Sequence, residues 1–146
     1  MSATGLEAFD QTLQKTNIWL KEIMDHVGPD RQRAYHALRA VLHTLRDRLT
    51  VEEAAHLSAQ LPLLVRGIYF EGWHPAHKPT KERAKEEFLE QVAARLQGIE
   101  PMNPEVATRS VLEVVQRNVD PAEVEHVKHM LPKSLQTLWP DQRPPS

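Results

Sequence analysis

The chain has 146 residues, with 18 Lys and Arg against 20 Asp and Glu, and no cysteine. That length suits one compact domain without a covalent staple, and the missing cysteine excludes disulfides, thiol nucleophiles, zinc fingers and cysteine-held iron–sulfur clusters. A formal charge of −2 argues against a dedicated DNA-binding domain, which is ordinarily basic.

The elements read as helices from end to end. Over Ala8 to Val27, Phe9, Leu13, Leu20, Met24 and Val27 recur at helical spacing, widened by Ile18, Trp19 and Ile23. Gly28-Pro29 stops that helix, and Asp30 caps a second one with Ala34, Leu38, Val41, Leu42, Leu45 and Leu49 as its apolar face. Arg39, Arg46, Asp47 and Arg48 are expected on its polar surface. Thr50-Val-Glu-Glu53 has the pattern of a capping box and opens a third helix with Val51, Ala54, Leu57 and Leu61 inside. Pro62 breaks it, and Leu64, Val65 and Ile68 add a short extension.

The connector 67–80 follows, Gly67-Ile-Tyr-Phe-Glu-Gly-Trp-His-Pro-Ala-His-Lys-Pro-Thr80, where aromatic residues are densest. Thr80 is expected to cap a fourth helix carrying Ala84, Phe88, Val92 and Leu96 and ending at Gly98. A fifth spans Asn103 to Asn118 with Val106, Val111, Val114 and Val115 inside. Asp120-Pro121 opens a sixth, which Pro132 interrupts before a proline-rich tail. No segment alternates with period two, so no strand is expected.

A shift of 70 residues lays the second half on the first. Gly28 falls on Gly98, Arg39 on Arg109, Val41-Leu42 on Val111-Leu112, Glu53 on Glu123, His56 on His126, and Leu61-Pro62 on Leu131-Pro132. Punctuation and core agreeing at one offset point to duplication. The expected architecture is a single all-α domain over 1–146. It is a helical bundle of two tandem three-helix repeats, 9–73 and 80–139, related by a pseudo-twofold axis.

The run Arg39-Ala-Val-Leu-His-Thr-Leu-Arg-Asp-Arg-Leu-Thr-Val-Glu-Glu-Ala54, then Gln60-Leu-Pro62, Phe70-Glu-Gly-Trp73 and Lys78-Pro79, resembles the bacterial family known as domain of unknown function 2267. The resemblance runs from about Phe9 to Trp139 and implies a duplicated, all-helical, cytoplasmic protein. The second half departs further from the pattern, with Asn118 in place of Arg48 and Trp139-Pro140 in place of Tyr69-Phe70. The resemblance implies no activity and no functional residue.

Two constellations carry chemistry. Glu53-Ala-Ala-His56 and Glu123-Val-Glu-His126 repeat the Glu-x-x-His element of ferritin-like metal sites. Against that reading, the apolar stripes Val51, Ala54, Leu57, Leu61 and Val124, Val127, Leu131 place both glutamates and both histidines on the opposite, polar sides of their helices. The second constellation is the connector, where Tyr69, Phe70 and Trp73 adjoin His74, His77, Lys78 and Arg83. Aromatic groups beside cations suit an anionic ligand or a stacked base. Read more plainly, the aromatics are a lid on the first repeat.

No serine sits in a Gly-x-Ser-x-Gly turn, and the five glycines form no phosphate loop. With no signal-peptide pattern at the N-terminus and no apolar run of membrane length, the sequence predicts a soluble, cytoplasmic protein. The preferred functional expectation is a non-enzymatic interaction module contacting a protein or small anionic ligand through the connector, with no cofactor. A metal protein or enzyme using Glu53, His56, Glu123 and His126 is the alternative, and weak nucleic-acid binding a further one.

Overall fold

The computed structural model describes residues 4–76, 78–98 and 101–140. It is all-helical among those residues: α1 (Glu7–Val27), α2 (Arg31–Arg48), α3 (Val51–Ser58), α4 (Leu63–Phe70), α5 (Lys85–Arg95), α6 (Pro104–Asn118), α7 (Pro121–His129) and α8 (Lys133–Gln136).

Polar caps mark four of the eight starts. The Asp30 carboxylate accepts from Gln32 N–H, Thr50 Oγ1 from Glu53 N–H, Asn103 from Glu105 and Val106, and Asp120 from Ala122. Each covers an amide that the first turn leaves without a partner. Pro62 and Pro132 start α4 and α8, where proline's fixed φ fits and its missing N–H is not needed. Gly28, at φ +111, turns the chain out of α1 through a conformation that side chains disfavour.

α2 and α6 pack on each other at the centre. α1 lies against both, as does α5 on another side, while α4 rests on α1 and α2, and α8 on α5. The two short helices α3 and α7 touch each other at one edge. α2 is enclosed nearly all round: every residue from Ala40 to Asp47 is buried. A helix that buries its whole circumference cannot show a clean amphipathic stripe.

Several expectations change here. Arg46 and Asp47 are buried instead of lying on a polar surface, because α4, the connector and α5 cover that side of α2. Val51 and Val106, expected inside, are exposed, as each lies in the first turn of its helix beyond the reach of the core. Phe9 and Leu13 are also exposed, since the buried stretch of α1 begins at Thr16, and Ile18 is exposed because it lies off the face formed by Thr16, Trp19, Leu20 and Ile23. α5 starts at Lys85, not after Thr80. The Thr80 amide donates to Asp47 O, and Glu87 accepts from the amides of Arg83 and Ala84 at the true start. α5 ends at Arg95, short of Gly98.

The element boundaries recur at the 70-residue spacing. α2 ends at Arg48 and α6 at Asn118, α3 begins at Val51 and α7 at Pro121, and α4 begins at Leu63 and α8 at Lys133. No helix among the described residues is long and apolar enough to cross a membrane.

Candidate functional site

α3 and α7 bring Glu53, His56, Glu123 and His126 into one cluster, with one donor atom from each lying within 4.8 Å of the others. This corrects the expectation that the two glutamates lie on solvated helix faces, while the histidines remain exposed. The polar side of α3 is the side that meets α7. Both carboxylates are buried, with side chains 5% and 4% exposed, whereas the imidazoles of His56 and His126 are 63% and 55% exposed.

The pairing crosses between helices and is reciprocal. His56 Nδ1 lies 2.8 Å from Glu123 Oε1, and His126 Nδ1 lies 3.1 Å from Glu53 Oε2. Each histidine is further from the glutamate of its own helix, at 4.0 and 3.8 Å. The two rings meet edge to face with centroids 6.1 Å apart. One oxygen of each carboxylate, Glu53 Oε1 and Glu123 Oε2, is buried without a hydrogen-bond partner. The expected capping box is thus only half formed at Thr50, because the Glu53 carboxylate faces His126.

Electrostatics follow from that geometry. Burial pushes the Glu53 carboxyl up to about 6, reinforced by the Glu123 carboxylate beside it and opposed by the two histidines. The hydrogen bond to Glu123, and then its charge, raise the His56 imidazole above its ordinary value. The cluster opens into a surface cleft of about 670 Å³, bounded also by Thr50, Glu52 and Met130. Two oxygen and two nitrogen donors with open space on one side form a ligand set that a divalent ion could complete.

The connector is distributed differently. Tyr69 is fully buried and its hydroxyl donates to Ala54 O at 2.8 Å, with burial raising its pKa. Phe70 and Trp73 are partly buried against the core, their rings 5.1 Å apart. Tyr69 therefore offers no surface to a partner, and the aromatic run closes the core as a lid. Arg46 fixes it from below, donating to Tyr69 O and Glu71 O at 2.9 and 2.8 Å. His74 and Arg83 are exposed, while Lys78 is half-buried with its ammonium 3.7 Å from Asp47 Oδ2. His77 lies outside the described residues. Arg95 of α5, which the sequence did not single out, also reaches Asp47 Oδ2, at 2.9 Å. Its only sequence signal was a lone basic residue next to an apolar stripe.

Residues 16–138 match the family model described as uncharacterized conserved protein (DUF2267), and the chain belongs to that family. No match was found among curated proteins.

Proposed function

We propose that this protein binds one divalent transition-metal ion through Glu53, His56, Glu123 and His126, and that the ion ties α3 to α7. The observation that carries this reading is the convergence of four donor atoms within 4.8 Å, two of them on buried carboxylates that each keep an unpartnered oxygen. Adjacent buried carboxylates repel one another and lack water to screen them. Imidazolium groups relieve part of that cost, and a doubly charged ion relieves more of it.

A tetrahedral ion with bonds of about 2.1 Å needs donors about 3.4 Å apart, so modest side-chain rotations close the cluster onto it. The exposed imidazoles have room to make them. Mixed nitrogen and carboxylate donors favour zinc, manganese or ferrous iron over magnesium or calcium, which prefer oxygen alone. Ferritin-like sites recruit further glutamates to hold two ions. Among the described residues only these four gather, which favours a single ion.

The reciprocal pairing also supports reading the chain as a tandem duplication about a pseudo-twofold axis. Under such an axis Glu53 meets His126 as Glu123 meets His56. The connector supports a contact role less well, since its aromatic residues face inward.

Calorimetric titration of chelator-stripped protein with Zn²⁺ tests the proposal, with Co²⁺ as a spectroscopic probe. One ion per chain is expected, with the visible absorption of a four-coordinate cobalt site. Glu123→Gln and His126→Ala should each weaken binding by about tenfold or more, or 1.4 kcal/mol. Binding at other stoichiometries, or affinity that these substitutions leave unchanged, would assign the ion to scattered surface histidines and sink the reading.

A further inference from the structure

We infer a second ligand site, independent of the metal reading: Arg39, Lys78 and Arg95 surround a cleft that takes a phosphate group. The cleft, of about 390 Å³, lies where α2, the connector and α5 meet. Four cations line it, Arg39, Arg46, Lys78 and Arg95, against two carboxylates, Asp47 and Glu71. Two positive charges are left over, matching a phosphate dianion. Neither nearby histidine is needed for that balance. Burial lowers the pKa of His43, whose Nε2 lies 2.7 Å from Ile68 O, and His74 stands exposed at the rim.

The cations are not equally available. Arg46 is buried and committed, to Asp47 Oδ1 at 2.8 Å and to two connector carbonyls. Arg95 is anchored at 2.8 Å to Thr44 Oγ1 and at 2.9 Å to Asp47 Oδ2, which fixes its guanidinium at the cleft wall. Lys78 has three donors, yet among the described residues its one ion pair is the 3.7 Å approach to Asp47. It is half-buried, so its charge acts through less water than a surface lysine's.

Arg39 is the movable member. Its Nε donates at 2.6 Å to Glu71, a carboxylate on the exposed connector. Exposed pairs of this kind contribute little to stability, so an incoming dianion can displace one. Glu71 then stands in for the ligand while the cleft is empty, and Arg39 can present its planar fork to two phosphate oxygens. The adjoining Gly72, at φ +69, gives the connector a turn there that carries no side chain into the cleft.

Calorimetry on the metal-free chain at low ionic strength tests this, with inorganic phosphate, phenyl phosphate and a single-stranded oligonucleotide as probes. Saturable binding of phosphate or phenyl phosphate is expected. Tighter binding of phenyl phosphate would mark a phosphomonoester as the natural source, and equal binding the free anion. Arg39→Gln and Lys78→Gln should each weaken binding about tenfold, and Glu71→Gln should strengthen it by removing the internal competitor. Circular dichroism confirms that the variants remain helical. No saturation by about 10 mM, unchanged affinity in Arg39→Gln and Lys78→Gln, or weaker binding by Glu71→Gln would overturn the inference. So would an oligonucleotide that outcompetes both phosphates.

Discussion

Glu53 and His56 set a pH dependence with a definite sign. Glu53, raised from 4.5 to about 6, and His56, raised from 6.5, both hold protons more tightly in the folded chain. Their contributions to stability are full at low pH. The Glu53 share is lost as pH climbs from 4.5 through about 6, and that of His56 as pH climbs past 6.5. His43, lowered by burial, has the opposite sign: its contribution is present above 6.5 and lost on acidification. A comparison of variants isolates the cluster. Glu53→Gln should gain on the wild type by on the order of 1–2 kcal/mol between pH 4.5 and 7, measured by urea denaturation of metal-free protein. Zinc should reverse the wild-type trend, because metal ligands must first lose their protons. A difference between the two proteins that stays constant across that range would show that Glu53 does not titrate as its burial requires.

The helices themselves were largely legible, since caps, prolines and apolar spacing each have a local cause. Asp30, Thr50 and Asp120 cap where the sequence placed them. What one helix cannot reveal is which neighbour its polar side meets. On α3 the stripe Ala54 and Leu57 points to the core, and the periodicity leaves Glu53 and His56 facing an unspecified outside. That outside is α7, whose glutamate and histidine are equally polar, so apolar patterning registers neither side of the contact. Arg46 and Asp47 were missed for a related reason, because charged residues are rarely buried unless paired, and their partners lie on the connector and α5. Helices of eight and nine residues are far below the length that is stable alone. Hydrogen exchange in α3 and α7 should be faster than in α2, and zinc should slow it in both together while leaving α2 unchanged. Thr50→Ala should remove about 1 kcal/mol of stability by uncapping α3. Zinc-induced protection confined to one of the two helices would contradict an ion shared between them.

At the scale of the whole chain, the two halves complete each other's interior. The continuous burial of Ala40 to Asp47 on α2 depends on α5 and α6, which come from the other half. Without α5 and α6, the apolar side chains of α2 lose part of their cover, at roughly 1.5–3 kcal/mol for each one returned to water. Asp47 would keep Arg46 but lose Arg95 and Lys78, and Glu53 would lose the partner that lies across the cluster. Polar and apolar losses have the same sign, and domain stability is commonly only 5–15 kcal/mol in total. A fragment covering residues 1–76 should therefore show no cooperative unfolding as a monomer. It carries one Glu-x-x-His element, so it should also bind zinc more weakly than the whole chain. Mixing it with a fragment covering residues 77–146 should restore both helicity and one-to-one zinc binding. Circular dichroism melts and sedimentation on the separate and mixed fragments measure this directly. A first fragment that melts cooperatively as a monomer would mean that each half has its own sufficient core, and that the contact between α3 and α7 joins two finished units.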